Sequence, residues 1–242
     1  MKLAGKVAIV TGSGRGIGRA IAVAFALEGA KVTVTARTKH EIEVAADEIR
    51  RQGGAAIAIA ADVSREADVE AVVGATVSQF GQIDILVNNA AINLPTIETV
   101  DMNPEDWRRV IDVNLTGPFL CARAVLPHMV SRHTGKIINI SSIGGRRGAR
   151  GRGPYRAAKA GLVNFTETLA AETGRSGINV NCICPGGVDT EMIRQISRGS
   201  PSGQLMRPEE IAAVALFLAS DEGSAITGTS IDAFGPSNPL FN

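Results

Sequence analysis

The chain has 242 residues, and its 25 lysines and arginines nearly balance 24 aspartates and glutamates, for a formal net charge of +1. That balance excludes the basic surface of a nucleic-acid binder and a long acidic tail, while 45% apolar residues suffice for one sizeable core. Three cysteines (Cys121, Cys182, Cys184) are too few for a disulfide framework, and with His40, His128 and His133 scattered, no metal site is expected.

The chain opens Met1-Lys2-Leu3-Ala4-Gly5-Lys6, without an apolar targeting core, and no stretch reads as long and apolar enough to span a bilayer. A soluble cytoplasmic protein with no membrane partner is therefore expected. The first strand, Val7–Val10, runs into Thr11-Gly12-Ser13-Gly14-Arg15-Gly16-Ile17-Gly18, which opens a helix over Ile17–Glu28. Glycines between a strand and a helix permit a tight turn and close approach of backbone to a pyrophosphate, with the helix N-terminus supplying free N–H groups. A second strand, Lys31–Thr35, ends in Ala36-Arg37-Thr38. A helix over Lys39–Arg51 follows, with Thr38 and Glu41 spaced as a capping box. The third strand, Ala55–Ala60, leads to Asp62-Val63, and the fourth, Ile83–Val87, to Asn88-Asn89-Ala90-Ala91.

A helix starts at Asn103-Pro104-Glu105-Asp106, where a cap precedes a first-turn proline and acids at the positive end of the dipole. Pro118, shortly after Asn114, predicts a bend or break. The fifth strand, Lys136–Ile140, ends in Ser141-Ser142. Four arginines (Arg146, Arg147, Arg150, Arg152) precede Tyr155, and Arg156 follows it. Tyr155 and Lys159 are four apart at the head of a helical stretch through Ala160–Glu172, so they share a face. An ammonium beside a phenol lowers its pKa, which suits a general acid/base. The sixth strand, Ile178–Ile183, carries Cys182, whose side chain shares a face with that of Cys184; both are expected as buried reduced thiols. Pro185-Gly186-Gly187-Val188-Asp189-Thr190 comes next, and Thr229–Asp232 is the last strand.

Continuous apolar strands alternating with helical segments predict a single-domain α/β fold over residues 1–242: a doubly wound parallel sheet of about seven strands, Rossmann-type, with helices on both faces.

The Thr-Gly-x-x-x-Gly-x-Gly spacing of residues 11–18 resembles that of the short-chain dehydrogenase/reductase family, and the resemblance runs to about Thr229. Ser142 lies thirteen residues before Tyr155, the family's usual interval. The resemblance implies four catalytic residues. Tyr155 is the acid/base, Lys159 tunes it and bonds the nicotinamide ribose, Ser142 orients the carbonyl, and Asn114 supports a helix kink and proton relay. It also implies cofactor contacts from Gly12, Ser13, Arg15, Gly16, Ile17, Gly18, Arg37, Asp62, Val63, Asn89, Ala90, Pro185, Gly186, Val188 and Thr190, besides Tyr155 and Lys159.

The second strand ends without the acid that would bond a ribose 2′-hydroxyl. Arg37 there, with Arg15 in the glycine loop, can accept a 2′-phosphate, so NADP(H) is favoured over NAD(H). The expected partner is a small carbonyl or alcohol substrate, such as a 3-oxoacyl thioester or another ketone. The 146–156 arginines read either as a substrate anion site or as a solvated loop or subunit contact. Two alternatives remain: an NAD-linked sugar or polyol dehydrogenase, and a non-catalytic nucleotide sensor.

Three departures from the family pattern stand out. Ala91 replaces a glycine. Only ten residues separate Thr190 from Pro201, so the substrate cover is short before Pro201-Ser202-Gly203-Gln204 rejoins the pattern. Ala233-Phe234-Gly235-Pro236 replaces the usual C-terminal motif. A homo-oligomer, dimer or tetramer, is expected.

Overall fold

The computed structural model describes residues 1–196, 205–235 and 240. Pro201–Gln204 and Pro236 lie outside the described residues. Seven parallel strands form one sheet: β1 (Val7–Thr11), β2 (Lys31–Ala36), β3 (Ala55–Ala60), β4 (Ile85–Asn88), β5 (Gly135–Ile140), β6 (Ile178–Pro185) and β7 (Ser230–Ala233), in spatial order β3-β2-β1-β4-β5-β6-β7. Strand order reverses between β1 and β4. In an open α/β sheet this is where the connecting loops diverge and leave a crevice at the carboxyl ends of the strands.

The apolar strands serve two cores. Ala8 and Val10 of β1 face one side with Val87 of β4, and α1 (Gly16–Leu27), α2 (Lys39–Arg51) and α8 (Pro208–Ala219) cover that side with Phe25, Ile42 and Leu218. Ile9 and Leu86 face the other side, under α3 (Glu66–Phe80), α5 (Gly117–Val130) and α6 (Gly153–Thr173), with Val73, Val125 and Leu169. Burial on both faces explains why these strands lack a polar alternation.

Two local expectations need correction. Thr38 stands at the N-cap of α2 but its side chain makes no cap hydrogen bond; Glu41 turns away to Arg15, 3.5 Å off, so no capping box forms. By contrast Asn103 does cap α4 (Pro104–Ile111), accepting from the Glu105 N–H at 2.9 Å. Secondly, the run from α4 through α5, Pro104–Val130, is long and apolar enough by length and composition to cross a membrane. It instead packs on α3, β4 and β5, as a core helix of the sandwich.

The break expected near Pro118 is a π-helical turn over Asp112–Thr116 between α4 and α5. Proline has no N–H to give the carbonyl of Asn114 four residues back, so α-helical bonding cannot continue through this point. The Asn114 side chain is fully buried. Its Nδ2 donates to the Ile92 carbonyl and its Oδ1 accepts from the Ile92 N–H, each at 2.8 Å. This clamp fixes the loop after β4 to the helical layer. Asn114→Ala leaves both backbone groups without a partner and is expected to cost about 2–3 kcal/mol, measured by urea denaturation.

Candidate active site

The cleft at the β1/β4 switch point has a volume of about 470 Å³. Its wall runs from the glycine loop, past the ends of β2 and β4, to Ser142, Tyr155, Lys159 and the segment Pro185–Thr190. One cleft thus gathers residues from six loops.

At the glycine loop, Gly12 has φ +63°, and a Cβ added there would lie 2.8 Å from the Ala90 Cα. Gly18 packs so closely on the Gly12 carbonyl and Asn89 Nδ2 that no side chain fits. Asn89 Nδ2 itself donates to the Thr11 carbonyl at 2.9 Å and the Gly12 carbonyl at 3.1 Å, and Thr11 Oγ1 accepts from the Asn89 and Ala90 N–H groups at 3.0 Å. The two switch-point loops are therefore stitched together. The first turn of α1 carries no acid and no side-chain cap, so its N–H groups face the cleft uncompensated. That is the arrangement a pyrophosphate requires.

Gly12, Arg15, Gly16, Ile17, Arg37, Asp62, Val63, Asn89, Ala90, Pro185, Gly186, Val188 and Thr190 all line the cleft. Ser13 and Gly18 do not. Ser13 is fully buried; its Oγ donates to the Val10 carbonyl at 2.7 Å and accepts from the Thr35 N–H at 2.9 Å. Its side chain joins β1 to β2 rather than facing a cofactor, because the left-handed turn at Gly12 directs it inward. Asn114 also stands behind the wall, reaching it through Ile92.

Two arginines stand at the far end of the cleft. Arg15 pairs with Glu191 of α7 (Glu191–Ile196) and, at 3.5 Å, with Glu41. Arg37 has no carboxylate partner within 4.0 Å among the described residues. Asp62 accepts from the Ser64 N–H at 3.0 Å and hydroxyl at 2.7 Å. Burial opposes its ionisation, but these bonds, with Arg37 and Arg65, hold its carboxyl below the usual aspartate value.

At the other end, the first turn of α6 presents Tyr155, with Lys159 one turn on. Ser142 Oγ accepts from the Gly144 N–H at 3.0 Å and lies close enough to the Tyr155 phenol to pull its pKa down. Ser141 is occupied elsewhere: its hydroxyl donates to the Lys159 carbonyl at 2.9 Å. Lys159 Nζ donates to the Ile140 carbonyl at 2.7 Å and lies 5.8 Å from the Tyr155 ring centroid. Burial pulls the Lys159 ammonium down to about 8, although Cys182 and Cys184 beneath it act in the opposite direction. Both thiols are buried.

The expectation that Lys159 lowers the Tyr155 pKa is corrected here. Burial raises the phenol above its ordinary value, against smaller downward pulls from Ser142, Arg156 and Arg152. The ammonium is aimed at a backbone carbonyl rather than at the phenol oxygen.

The segments 92–97, 143–153 and 189–200, which are expected to shape the pocket but carry no motif, supply several wall residues, and Glu41 is one that sequence reasoning missed. Ile92, Ile143, Met192 and Ile193 give the cleft an apolar side, while Glu41 and Glu191 bring acids to Arg15. Apolar lining carries no motif, and the Arg15–Glu191 pair spans 176 positions.

A family model for short chain dehydrogenase matches residues 6–201. The chain belongs to the short-chain dehydrogenase family. As such it is an oxidoreductase. It is 41% identical over 240 residues to the 3-oxoacyl-[acyl-carrier-protein] reductase of Synechocystis, covering 96% of this chain and 97% of the relative. It is 39% identical to the (2S)-[(R)-hydroxy(phenyl)methyl]succinyl-CoA dehydrogenase subunit of Thauera aromatica, with 94% of each chain covered. Among solved structures, the 3-ketoacyl-(acyl-carrier-protein) reductase of Brucella melitensis complexed with NADH aligns with a TM-score of 0.90 at 38% identity, covering 97% of this chain and 98% of that one.

Proposed function

We propose that the protein is an NADP(H)-dependent reductase that interconverts a carbonyl and a secondary alcohol, with a 3-oxoacyl thioester as the substrate class its relatives favour. The observation that carries this reading is the single cleft joining an anion cradle at one end to Ser142, Tyr155 and Lys159 at the other.

The uncapped N-terminus of α1 fits the pyrophosphate, and Gly12 and Gly18 leave room for the backbone to approach it. Arg37 and Arg15 would hold the 2′-phosphate, Asp62 and Val63 would border the adenine, and Pro185, Gly186, Val188 and Thr190 would hold the nicotinamide end. The nicotinamide supplies or accepts the hydride. Tyr155 gives its hydroxyl proton to the carbonyl oxygen in reduction and takes it back in oxidation. The raised phenol pKa keeps that proton in place at neutral pH, which suits reduction. Ser142, beside the same hydroxyl, steadies charge on the substrate oxygen. Lys159 places a cation beneath the phenol as it loses its proton. Asn114 is a positioning residue, holding the loop through Ile92.

The raised phenol sets the direction of the pH dependence. Oxidation needs phenolate and is expected to speed up as pH rises toward the Tyr155 pKa; reduction needs phenol and is expected to hold steady, then fall there. Initial rates in both directions across pH 6–11 (roughly the span around an ordinary tyrosine) test this. A pH-independent oxidation rate would contradict it.

Arg37, which has no carboxylate partner among the described residues, is expected to matter more for the phosphate than Arg15. Arg37→Leu should raise the NADPH Kd by about tenfold or more with little change for NADH. Because the Brucella relative was crystallised with NADH, titration with both cofactors distinguishes this reading from an NAD-linked dehydrogenase. A homo-oligomer belongs to the same proposal: Trp107, Phe119 and Phe217 are large apolar side chains left part-exposed on α4, α5 and α8.

A further inference from the structure

The arginines between Ser142 and the second turn of α6 divide into two groups. Arg146 pairs with Asp232 at 3.1 Å, and Arg150 pairs with Glu98 at 2.5 Å. These two are neutralised at the surface. Arg152 and Arg156 line the cleft, and among the described residues neither has a carboxylate partner. Arg152 Nη1 donates to the Leu94 carbonyl at 2.8 Å, and Arg156 Nη1 donates to the Arg147 carbonyl. Each guanidinium is thus held in place by neutral backbone, with its charge uncompensated.

Arg156 stands beside the reacting groups. The point where Gly144 would carry a Cβ lies 3.3 Å from the Arg156 Cγ, 3.3 Å from the Tyr155 Cε1 and 3.4 Å from the Ser142 Oγ. A bare glycine here lets an arginine stem, the tyrosine ring and the serine hydroxyl converge. Arg156 is half-buried and holds its proton less firmly, through burial first and then the neighbouring Arg147 and Arg152. Keeping three like charges together without acids is unfavourable unless an anion joins them.

We infer that Arg156, assisted by Arg152, binds an anionic group carried on the substrate's own carbon skeleton, a carboxylate a few bonds from the reacting carbonyl. This rests on the reductase reading and adds the substrate class to it. The shared chemistry, an anion on the substrate, could also come from the phosphates of a thioester carrier. The position of the Arg156 stem against Tyr155 and Ser142 favours the skeleton, since carrier phosphates lie many bonds from the carbonyl. A guanidinium fork suits a carboxylate, which it can grip through two parallel bonds.

The test uses matched acids and esters with NADPH: pyruvate, acetoacetate and levulinate, each against its methyl ester, together with acetoacetyl-CoA against the acetoacetyl thioester of N-acetylcysteamine. At least one acid is expected to exceed its ester in kcat/KM by about tenfold or more, as one charge-assisted contact supplies. Arg156→Met should reduce that ratio about tenfold, through KM more than kcat, and added salt should reduce it in the native protein. Arg152→Met should act in the same direction more weakly. Acid-to-ester ratios near one throughout, or ratios that neither substitution changes, would overturn the inference and leave the arginines to a subunit contact. A preference confined to the CoA thioester would overturn it in favour of carrier phosphates. If no compound is turned over although NADPH binds, the reductase reading fails. Calorimetric binding of each acid and ester to the NADP-saturated protein then still decides the arginine question, tighter binding of an acid and its loss in Arg156→Met supporting it and equal binding refuting it.

Discussion

Tyr155→Phe is expected to lower kcat by about a thousandfold or more while NADPH binds within a fewfold of its native affinity. The substitution removes one oxygen and retains the ring, so packing against Gly144 and Lys159 survives. What disappears is the hydroxyl proposed as the proton donor to the carbonyl oxygen. No other side chain near Ser142 can replace it: Ser141 is bonded to the Lys159 carbonyl, and Lys159 is aimed at Ile140. Single-turnover kinetics with bound NADPH separate the chemical step from binding. A variant with native kcat would remove Tyr155 from the mechanism.

Lys159→Met is expected to reduce kcat by about a hundredfold or more and, unlike most active-site changes, to stabilise the unliganded fold at neutral pH. Lys159 is 2% exposed, and burial pulls its pKa from 10.5 to about 8. The folded state therefore binds this proton less tightly than the unfolded state. The group's favourable contribution is complete above about 10.5 and is lost as pH falls through about 8. At pH 7 the burial of a charged lysine costs about 3 kcal/mol, offset in the comparison by about 1 kcal/mol for the lost bond to Ile140. Methionine fills similar space without charge. Urea denaturation across pH 7–10.5 (roughly the window between the two pKa values) should show the variant more stable at the low end, with the difference shrinking as pH rises. A constant difference across that range would mean that the lysine pKa is not depressed.

Much of the fold could be read from local pattern. Runs such as Val7–Val10, apolar on both faces, occur in sheets covered on both sides, and β1, buried throughout, occupies those residues. β4 begins at Ile85 rather than at Ile83. Asp84, just before it, is held by both side chain and main chain: its carboxylate accepts from the Val7 N–H at 2.8 Å and from Arg132 Nη2 at 2.6 Å, while its backbone bonds the Val7 carbonyl and the Lys136 N–H. That Gly12, Gly16, Ser142, Tyr155 and Lys159 meet at one cleft was legible from their fixed spacing around the strand ends. The inward side chain of Ser13 was not legible, because its motif position says nothing about which way Gly12 turns it. The capping box at Thr38 failed because Glu41 has a distant competitor in Arg15. The partners of Arg15 and Asn114, and the separation of the loop arginines into paired and unpaired sets, depend on residues remote in sequence.

The most direct test of the central claim is NADPH oxidation by the native protein and Tyr155→Phe, side by side, with acetoacetyl thioesters and the keto acids. The account predicts turnover by the native protein with at least one of them, faster with NADPH than NADH, and its near-complete loss in the variant. Turnover that survives the substitution, or none by a native protein saturated with NADPH, would contradict it.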